Sequence, residues 1–545
     1  MVAINLNAFG GLSKKVAPRL LPESMGVEVK NVDFSHGSLR PLKGYGSTSV
    51  TFNLGGVDGG TRTVYKSGSD RWLEFSRDVD VIESPVAEDQ YDRIYPTNKN
   101  TYYPQITSGQ SLNNIYKLGI PRPPTPSTSL SPSSSANTDS ETPISRAYLA
   151  TYVTAYGEEG PSSDVEASDI IDVYTDQTVS ITVGSATGTR NYAYIRIYRT
   201  DEDGVFRFLH QGSSSGFTID DTVPDTDLGE EVPSRDWIGP PDEMLGLVTI
   251  PNGISAGFVG QTLCLSEAYL PHAWPEEYQL TTKYPIVGLA PLDTGLLVLT
   301  EGKPSIVQGT DPAGMVMTEL DIAQSCVSKR SIVDMGNSVF YASPDGLVRV
   351  SSSGSSVVTE SLFTKDQWQA DYSPSTIRAY RWEDRYVAFH DFTGGNPSGF
   401  VFDSRGGQNS LTHITTTGIA GFNDLEDDTL YVVDSSGSLK EFAAGSAYAT
   451  YSWESKHFFT QRPINLGVVQ VSFGEDVGGG STTIVLYGGE GEPSTQIHAE
   501  SVAASRDTFT FRLPSGTKHN VFKATFSGKR EINSVTFAES PQELR

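Results

Sequence analysis

Cysteine is nearly missing from this chain, whose 545 residues hold two, Cys264 and Cys326. So few exclude a disulfide-dense scaffold, and the pair is expected as two small core thiols. Long apolar runs are missing too. No stretch approaches the roughly 18 consecutive apolar residues that cross a bilayer as a helix, and the first thirty residues lack the apolar core of a secretory signal. A chain made and kept in the cytosol is therefore expected. Positive charge is scarce, with 40 Lys and Arg against 66 Asp and Glu and a formal charge of −26. Wrapping a nucleic-acid backbone requires Lys and Arg to displace counterions, so that function class falls away.

Chemistry-bearing motifs are equally sparse. His36, His210, His272, His390, His413, His457, His498 and His519 are scattered, with no two at metal-ligand spacing and no cysteine beside them, so no metal and no cofactor is expected. No phosphate-cradling Gly loop ends in Lys-Ser/Thr, and no Gly-x-Ser-x-Gly elbow sits between a strand and a helix, which excludes nucleotide hydrolysis and esterase chemistry. Carboxylates are plentiful, but a glycosidase needs two of them facing each other at about 5–9.5 Å, which spacing along a chain does not establish. "SPDGLVRV" (343–350) faintly resembles a sialidase Asp-box without its closing Trp. It reads as a strand turn with Asp345 and Gly346 at the corner. "DSSGSLKEF" (434–442) reads as a hairpin turn, because a calcium loop would carry a later acidic ligand.

What is abundant is turn and strand material. The chain has 53 Gly, 31 Pro, 25 Tyr and 24 Phe, and its length exceeds the roughly 250–300 residues of a single core. An all-β protein of several units follows. "TVYKSGSDRWLEFSRDVDVIESP" (63–85) alternates as strands around a turn at Ser67 to Asp70, with Val64, Trp72, Phe75 and Val79 as core. Residues 118–143 are Pro/Ser-rich and read as a semi-rigid linker. In the next unit Leu149, Thr151, Val153 and Ala155 share one face of a strand and Tyr148, Tyr152 and Tyr156 the other, and Ile195 and Ile197 alternate with Tyr194, Arg196 and Tyr198. The "VTAYGEEGPSS" strand and turn make this unit resemble a fibronectin type III or immunoglobulin-like sandwich, although that strand comes early rather than late.

From about 245 to 445 five segments repeat an apolar strand, a turn and a second strand, starting with "SAGFVGQTLCLSEAYLPHAW" and ending with "DTLYVVDSSGSLKEF". Their spacing suits propeller blades. The expected plan is an irregular β-propeller: an extended N-terminal arm (1–44), a first blade region (45–118), a linker (119–143), an inserted sandwich (144–235), the remaining blades (236–450) and a C-terminal β-sandwich or platform (451–545).

Residues 8–46, "AFGGLSKKVAPRLLPESMGVEVKNVDFSHGSLRPLKGYG", resemble the start of the tail nozzle and hub proteins of short-tailed bacteriophages, the tail tubular protein B group, through Leu21, Pro22, Asn31, Gly37, Leu39 and Pro41. "WESKHFFTQRPINLG", with Trp453 and Lys456, resembles the segment by which such chains leave the propeller. The resemblance implies a non-enzymatic virion protein of the phage tail, assembled in the bacterial host cytoplasm. It would form a homo-oligomeric ring, a hexamer, bound to portal and adaptor proteins, with tail fibre or tip proteins and the host envelope as further contacts. Phage DNA would pass through the ring without sequence-specific binding. An arm with few large apolar residues would order on a neighbouring subunit, and an acidic wall would repel DNA over a screening length of about 8 Å. Two other readings stand beside it. One is a receptor-binding protein that uses the Tyr-rich face of the inserted unit, and the other is a glycosidase built on the propeller.

Overall fold

A computed structural model describes residues 3–544 apart from 57, 69–70, 98–103, 110, 294, 392–398, 406–408, 477–478 and 504–506. Ser69 and Asp70 of the expected turn, and residues 392–398 within the fourth of the five repeated segments, therefore lie outside the described residues. Between 46 and 441 the antiparallel sheets follow one another around a closed ring of seven blades, counted on the described residues. Blade 1 is Phe52–Leu54, Thr63–Ser67 and Arg71–Phe75. Blade 2 is Asp80–Glu83, Arg93–Thr97, Gln105–Ser108 and Ser111–Lys117, and blade 3 starts at Leu245–Ile250. Blades 4, 5 and 6 begin at Ile286–Leu292, Val333–Asp334 and Arg378–Trp382. Blade 7 is Ala420–Asp424, Thr429–Val433 and Leu439–Glu441, completed by Gly46–Ser47 from the other end of the chain.

Packing explains why the blade strands are apolar on both faces. In "GLLVLT" (295–300), Leu296 and Val298 pack with Ile254, Ala256 and Phe258 of blade 3, while Leu297 and Leu299 pack with Val339, Tyr341 and Val350 of blade 5. Each such side chain contributes about 1.5–3 kcal/mol by leaving water. Tight turns keep the blades narrow. Gly260, at φ +59, opens the two-residue turn that pairs Val259 with Thr262, and Glu383 and Asp384 both take positive φ between the paired Trp382 and Arg385.

The region expected as one blade, 45–118, is in fact shared by three sheets, because residues 46–47 close blade 7, 52–75 make blade 1 and 80–117 make blade 2. A single apolar alternation over 63–85 hides the break, since Val79 is buried on the path between two blades. An inserted unit leaves the ring after blade 2 and returns before blade 3. Tyr148–Thr154, Tyr192–Thr200 and Phe206–Ser213 form one sheet, and Ser127–Ser131, Thr178–Val183 and Phe217–Asp221 form the facing one. Ser127–Ser131 lies within the expected linker. Its polar side chains suit an edge strand whose backbone still pairs with Thr178–Val183. The last strand of the unit pairs in the sheet opposite the one where an immunoglobulin domain places its last strand, so the two-layer form is present and the immunoglobulin strand order is not.

The Tyr face of the inserted unit is its core. Tyr148 and Tyr152 are buried with Val179 and Ile181, and Tyr198 is buried on the opposite face, which corrects the reading of a Tyr-rich recognition surface. Tyr194 is the exposed exception. Cys264 and Cys326 are free and buried, and burial pushes their thiols up to about 11 and about 12.

The C-terminal region is also not a separate layer. One of its sheets runs Ala3–Leu6, Ile532–Ala538, Val468–Phe473 and Thr508–Arg512. The other continues blade 6 without a break: Ser410–Ile414, then Gly26–Lys30, Tyr451–Ser455, His519–Gly528, Thr482–Gly489 and Thr495–Val502.

Candidate functional site: an N-terminal interlock and a clamped propeller axis

Residues 3–44 do not form a free arm but thread through their own chain. Phe9 meets Trp453 edge to face at 5.2 Å, and the Leu12 N–H donates to Leu411 O at 2.9 Å. The Lys14 and Lys15 N–H groups both donate to Leu362 O, and Lys14 Nζ lies 3.0 Å from Asp371 on the α-helix Lys365–Tyr372. The helix is held in turn by a capping box between Thr364 and Gln367. A segment poor in large apolar residues still orders here, because its backbone groups complete neighbouring sheets and its few apolar side chains, Phe9, Leu12, Val29 and Leu39, enter the largest core.

Six of the eight residues that carried the family resemblance lie in this interlock with partners in their own chain. Asn31 adopts φ +54; its Nδ2 donates to Thr450 O at 3.0 Å, and its Oδ1 accepts from the Thr415 N–H at 3.0 Å. Gly37 turns at φ +71 between Val32–Asp33 and Arg40–Pro41, where Pro41 pairs with Val32, and Leu39 bridges to Ile532. Trp453 is fully buried and its indole N–H donates to Gly10 O at 3.1 Å. Leu21 is buried, whereas Pro22 is exposed and its carbonyl accepts from the Met25 N–H. Lys456 stands apart, 6.0 Å over the Phe458 ring.

At the propeller axis the innermost strands surround a cavity of about 260 Å³, and Gly246 and Gly288 of its wall let the side chains of Phe258 and Ile332 pack against the backbone. A 3₁₀ turn, Lys329–Ser331, delivers two cations to it. Lys329 Nζ lies 2.6 Å from Asp80 and 3.4 Å from Asp78, Arg330 pairs with Asp78, and Arg330 also donates to Thr63 Oγ1. Asp80 accepts from the Gly246 N–H at 3.1 Å. Two cations thus neutralise two carboxylates and tie blades 1, 2 and 3 to the entry of blade 5. The arrangement is an electrostatic clamp across the hole.

A second ionic group joins the inserted unit to the ring. Glu158 accepts from Arg190 Nη2 at 2.6 Å and from Arg93 Nη1 of blade 2 at 3.2 Å, and Arg93 also binds Asp89 at 2.7 Å. Next to it Glu159 accepts from Arg196 and from the Tyr198 hydroxyl, and its carbonyl meets His272 Nε2 at 3.1 Å from the blade 3 side. Burial acts to raise the Glu158 carboxyl, but the surrounding Arg190, His272 and Arg93 override it and hold the group below the usual range. Burial also depresses His272. None of these residues stood out by spacing. The only trace is the Glu-Glu doublet inside a turn flanked by strand residues, which reads as solvent-facing until a neighbouring blade covers it.

Other sequence expectations find plain roles. Asp345 caps a blade turn through Gln324 and Lys365. Asp434 Oδ1 accepts from the Ser436 and Ser438 N–H groups in a hairpin turn. His413 Nε2 and the Tyr372 hydroxyl lie 2.8 Å apart in the core beneath the N-terminal segment, next to His390. Among the described residues no group of three or more His, Cys, Asp and Glu is arranged to hold a metal. Among the described residues no helix is long and apolar enough to cross a membrane.

No family model matches the chain, and no curated protein matches it. Among solved structures it is similar to an exo-β-1,3-galactanase from Phanerochaete chrysosporium, with 9% identity, TM-score 0.18, 91% of this chain and 100% of that one covered. It is also similar to YCF48 from Cyanidioschyzon merolae, with 9% identity, TM-score 0.23, and 69% and 86% covered. A third is PorZ of the type-IX secretion system of Porphyromonas gingivalis, with 11% identity, TM-score 0.23, and 64% and 50% covered. Likeness at this level carries nothing about activity.

Proposed function

We propose that this chain is a non-enzymatic structural subunit of a short-tailed phage tail, the nozzle or hub ring below the portal and adaptor proteins. The observation that carries the reading is the sheet that passes from blade 6 through Gly26–Lys30 into the C-terminal sandwich. It ties the propeller and the platform into one hydrogen-bonded body, with the N-terminal segment sewn between them. Such continuity suits a part that transmits load without bending. The leader and the Trp453 segment, which carry the family resemblance, are the pieces that make the join. The formal charge of −26 per chain suits a wall along which DNA slides, because like charges repel within about 8 Å at physiological salt.

The test is assembly. Light scattering and electron microscopy of the purified protein, alone and mixed with the adaptor and portal proteins of the same phage, should give a hollow ring, or a monomer that becomes one when the partners are added. A monomer or trimer indifferent to those partners would overturn the reading.

A further inference from the structure

The inserted unit and blade 3 enclose a cleft of about 420 Å³ at the surface, away from the axis, with Trp237 of its wall backing onto His272 of the buried ionic junction. Its walls carry Phe206, Trp237 and Tyr278 together with Glu231, Glu277 and Arg235. Tryptophan usage singles the place out. The chain has six tryptophans, and Trp72, Trp274, Trp368, Trp382 and Trp453 are all buried, leaving Trp237 as the one that solvent reaches. A large apolar side chain left part-exposed in a concave site marks a contact surface more often than a packing accident.

The cleft is built rather than incidental. The Trp237 indole stands edge to face against His272 at 6.2 Å, and the Trp274 N–H donates to Ile238 O at 2.7 Å, which fixes the backbone beside the indole. The Val232 N–H donates to Phe206 O at 3.0 Å, and the Arg235 guanidinium lies 6.0 Å over the Phe206 ring. Pro233 and Pro275 stiffen opposite walls. Side chains with few rotatable bonds, held in place before any ligand arrives, lose little freedom on binding.

We infer that this cleft binds a neutral saccharide. A sugar ring presents an apolar C–H face that stacks on an aromatic ring, and an equatorial rim of hydroxyls that donate to carboxylates and accept from a guanidinium. Trp237 and Phe206 supply the first surface, and Glu231, Glu277 and Arg235 supply the second. Three exposed carboxylates, Glu231, Asp236 and Glu277, beside one guanidinium disfavour an anionic ligand, and a hydroxyl-rich neutral ligand uses both kinds of group. The volume falls within the usual range for small-molecule sites and accommodates a ligand of about two rings.

The inference does not depend on ring assembly, so it can fail or stand independently of the tail reading. Lactose, maltose, cellobiose and N,N′-diacetylchitobiose are titrated by calorimetry into the full-length protein, with tryptophan emission followed in parallel. At least one is expected to give saturable heat at a Kd on the order of millimolar, with an emission change that reports Trp237. The heat should vanish in Trp237→Ala. Glu277→Gln, at an exposed position that does not disturb folding, should weaken binding about tenfold. Saturable heat from none of the four probes would overturn the inference, as would binding that is unchanged in both variants when circular dichroism shows both folded.

Discussion

Arg93 of blade 2 donates to Glu158 of the inserted unit at 3.2 Å, in a pocket where Glu158 is buried and Arg93 nearly so. The pair belongs to a group in which every charge has an opposite partner, and this is the condition under which buried ions are tolerated. Glu158→Ala leaves Arg190 and Arg93 facing each other without their shared carboxylate. A loss of about 3–5 kcal/mol is expected in denaturant unfolding. The loss should be accompanied by faster hydrogen exchange at 154–160 and 190–196. An unchanged midpoint with unchanged exchange would show that the junction does not hold the insertion.

Asn31 separates conformation from hydrogen bonding. Its positive φ favours glycine or asparagine, and its side chain makes hydrogen bonds to Thr415 and Thr450. Asn31→Gly keeps the backbone and loses the bonds, whereas Asn31→Ala loses both. The alanine variant should therefore be less stable than the glycine variant by about 1 kcal/mol. Equal stabilities would remove backbone strain from the account.

Removing residues 1–47 should abolish folding rather than trim an accessory. The deletion takes the outer strand from blade 7, the bridging strand from the long sheet and Phe9 from the face of Trp453. These losses exceed the roughly 5–15 kcal/mol that holds a typical native state. The expected product is aggregated or lacks a cooperative thermal transition. A soluble product with a cooperative transition would return the segment to the role of a free arm.

Acid sensitivity should trace to two buried histidines. Burial depresses His413 to about 3 and His390 to about 4, against ordinary values near 6.5. The folded state therefore resists protons that the unfolded chain accepts. The stability contributed by the neutral rings is fully present above about pH 6.5 and is lost as pH falls toward 4, at about 1.4 kcal/mol per pH unit for each ring. Unfolding free energy measured from pH 7 to pH 4.5 should fall less steeply in His413→Gln than in the parent. Parallel curves would exclude this group as the source.

The blades between 245 and 445 were legible because each carries a local signal, an apolar strand followed by a tight turn, and burial on both faces makes that signal dense. The N-terminal segment was not. Its side chains look like those of an exposed leader, and what orders them is backbone pairing with residues hundreds of positions away, such as Lys30 beside His413 and Leu39 beside Ile532. The same limit hid the strand Ser127–Ser131, whose residues are polar because one side of an edge strand faces water. Period-2 alternation separated the two faces of Tyr148–Thr154 correctly and could not say that both are covered, which is why the tyrosines read as a surface. Beyond the Glu158-Glu159 doublet the buried ionic junction left no pattern, because its members come from four parts of the chain.

Gly46–Ser47 pairs with Leu439–Glu441, so the ring is closed by strands from opposite ends of the propeller. During synthesis the early strand emerges first and has no partner until blade 7 follows, a delay on the order of tens of seconds at about 5–20 residues per second. Until then the growing array keeps open edges, and the pairing that finishes it spans nearly the whole ring, the kind of contact that slows folding. Ring closure is therefore the late, cooperative event of folding. A translation arrest before residue 439 leaves a chain with unpaired strands at both ends, and such a chain is more prone to aggregate than the finished protein.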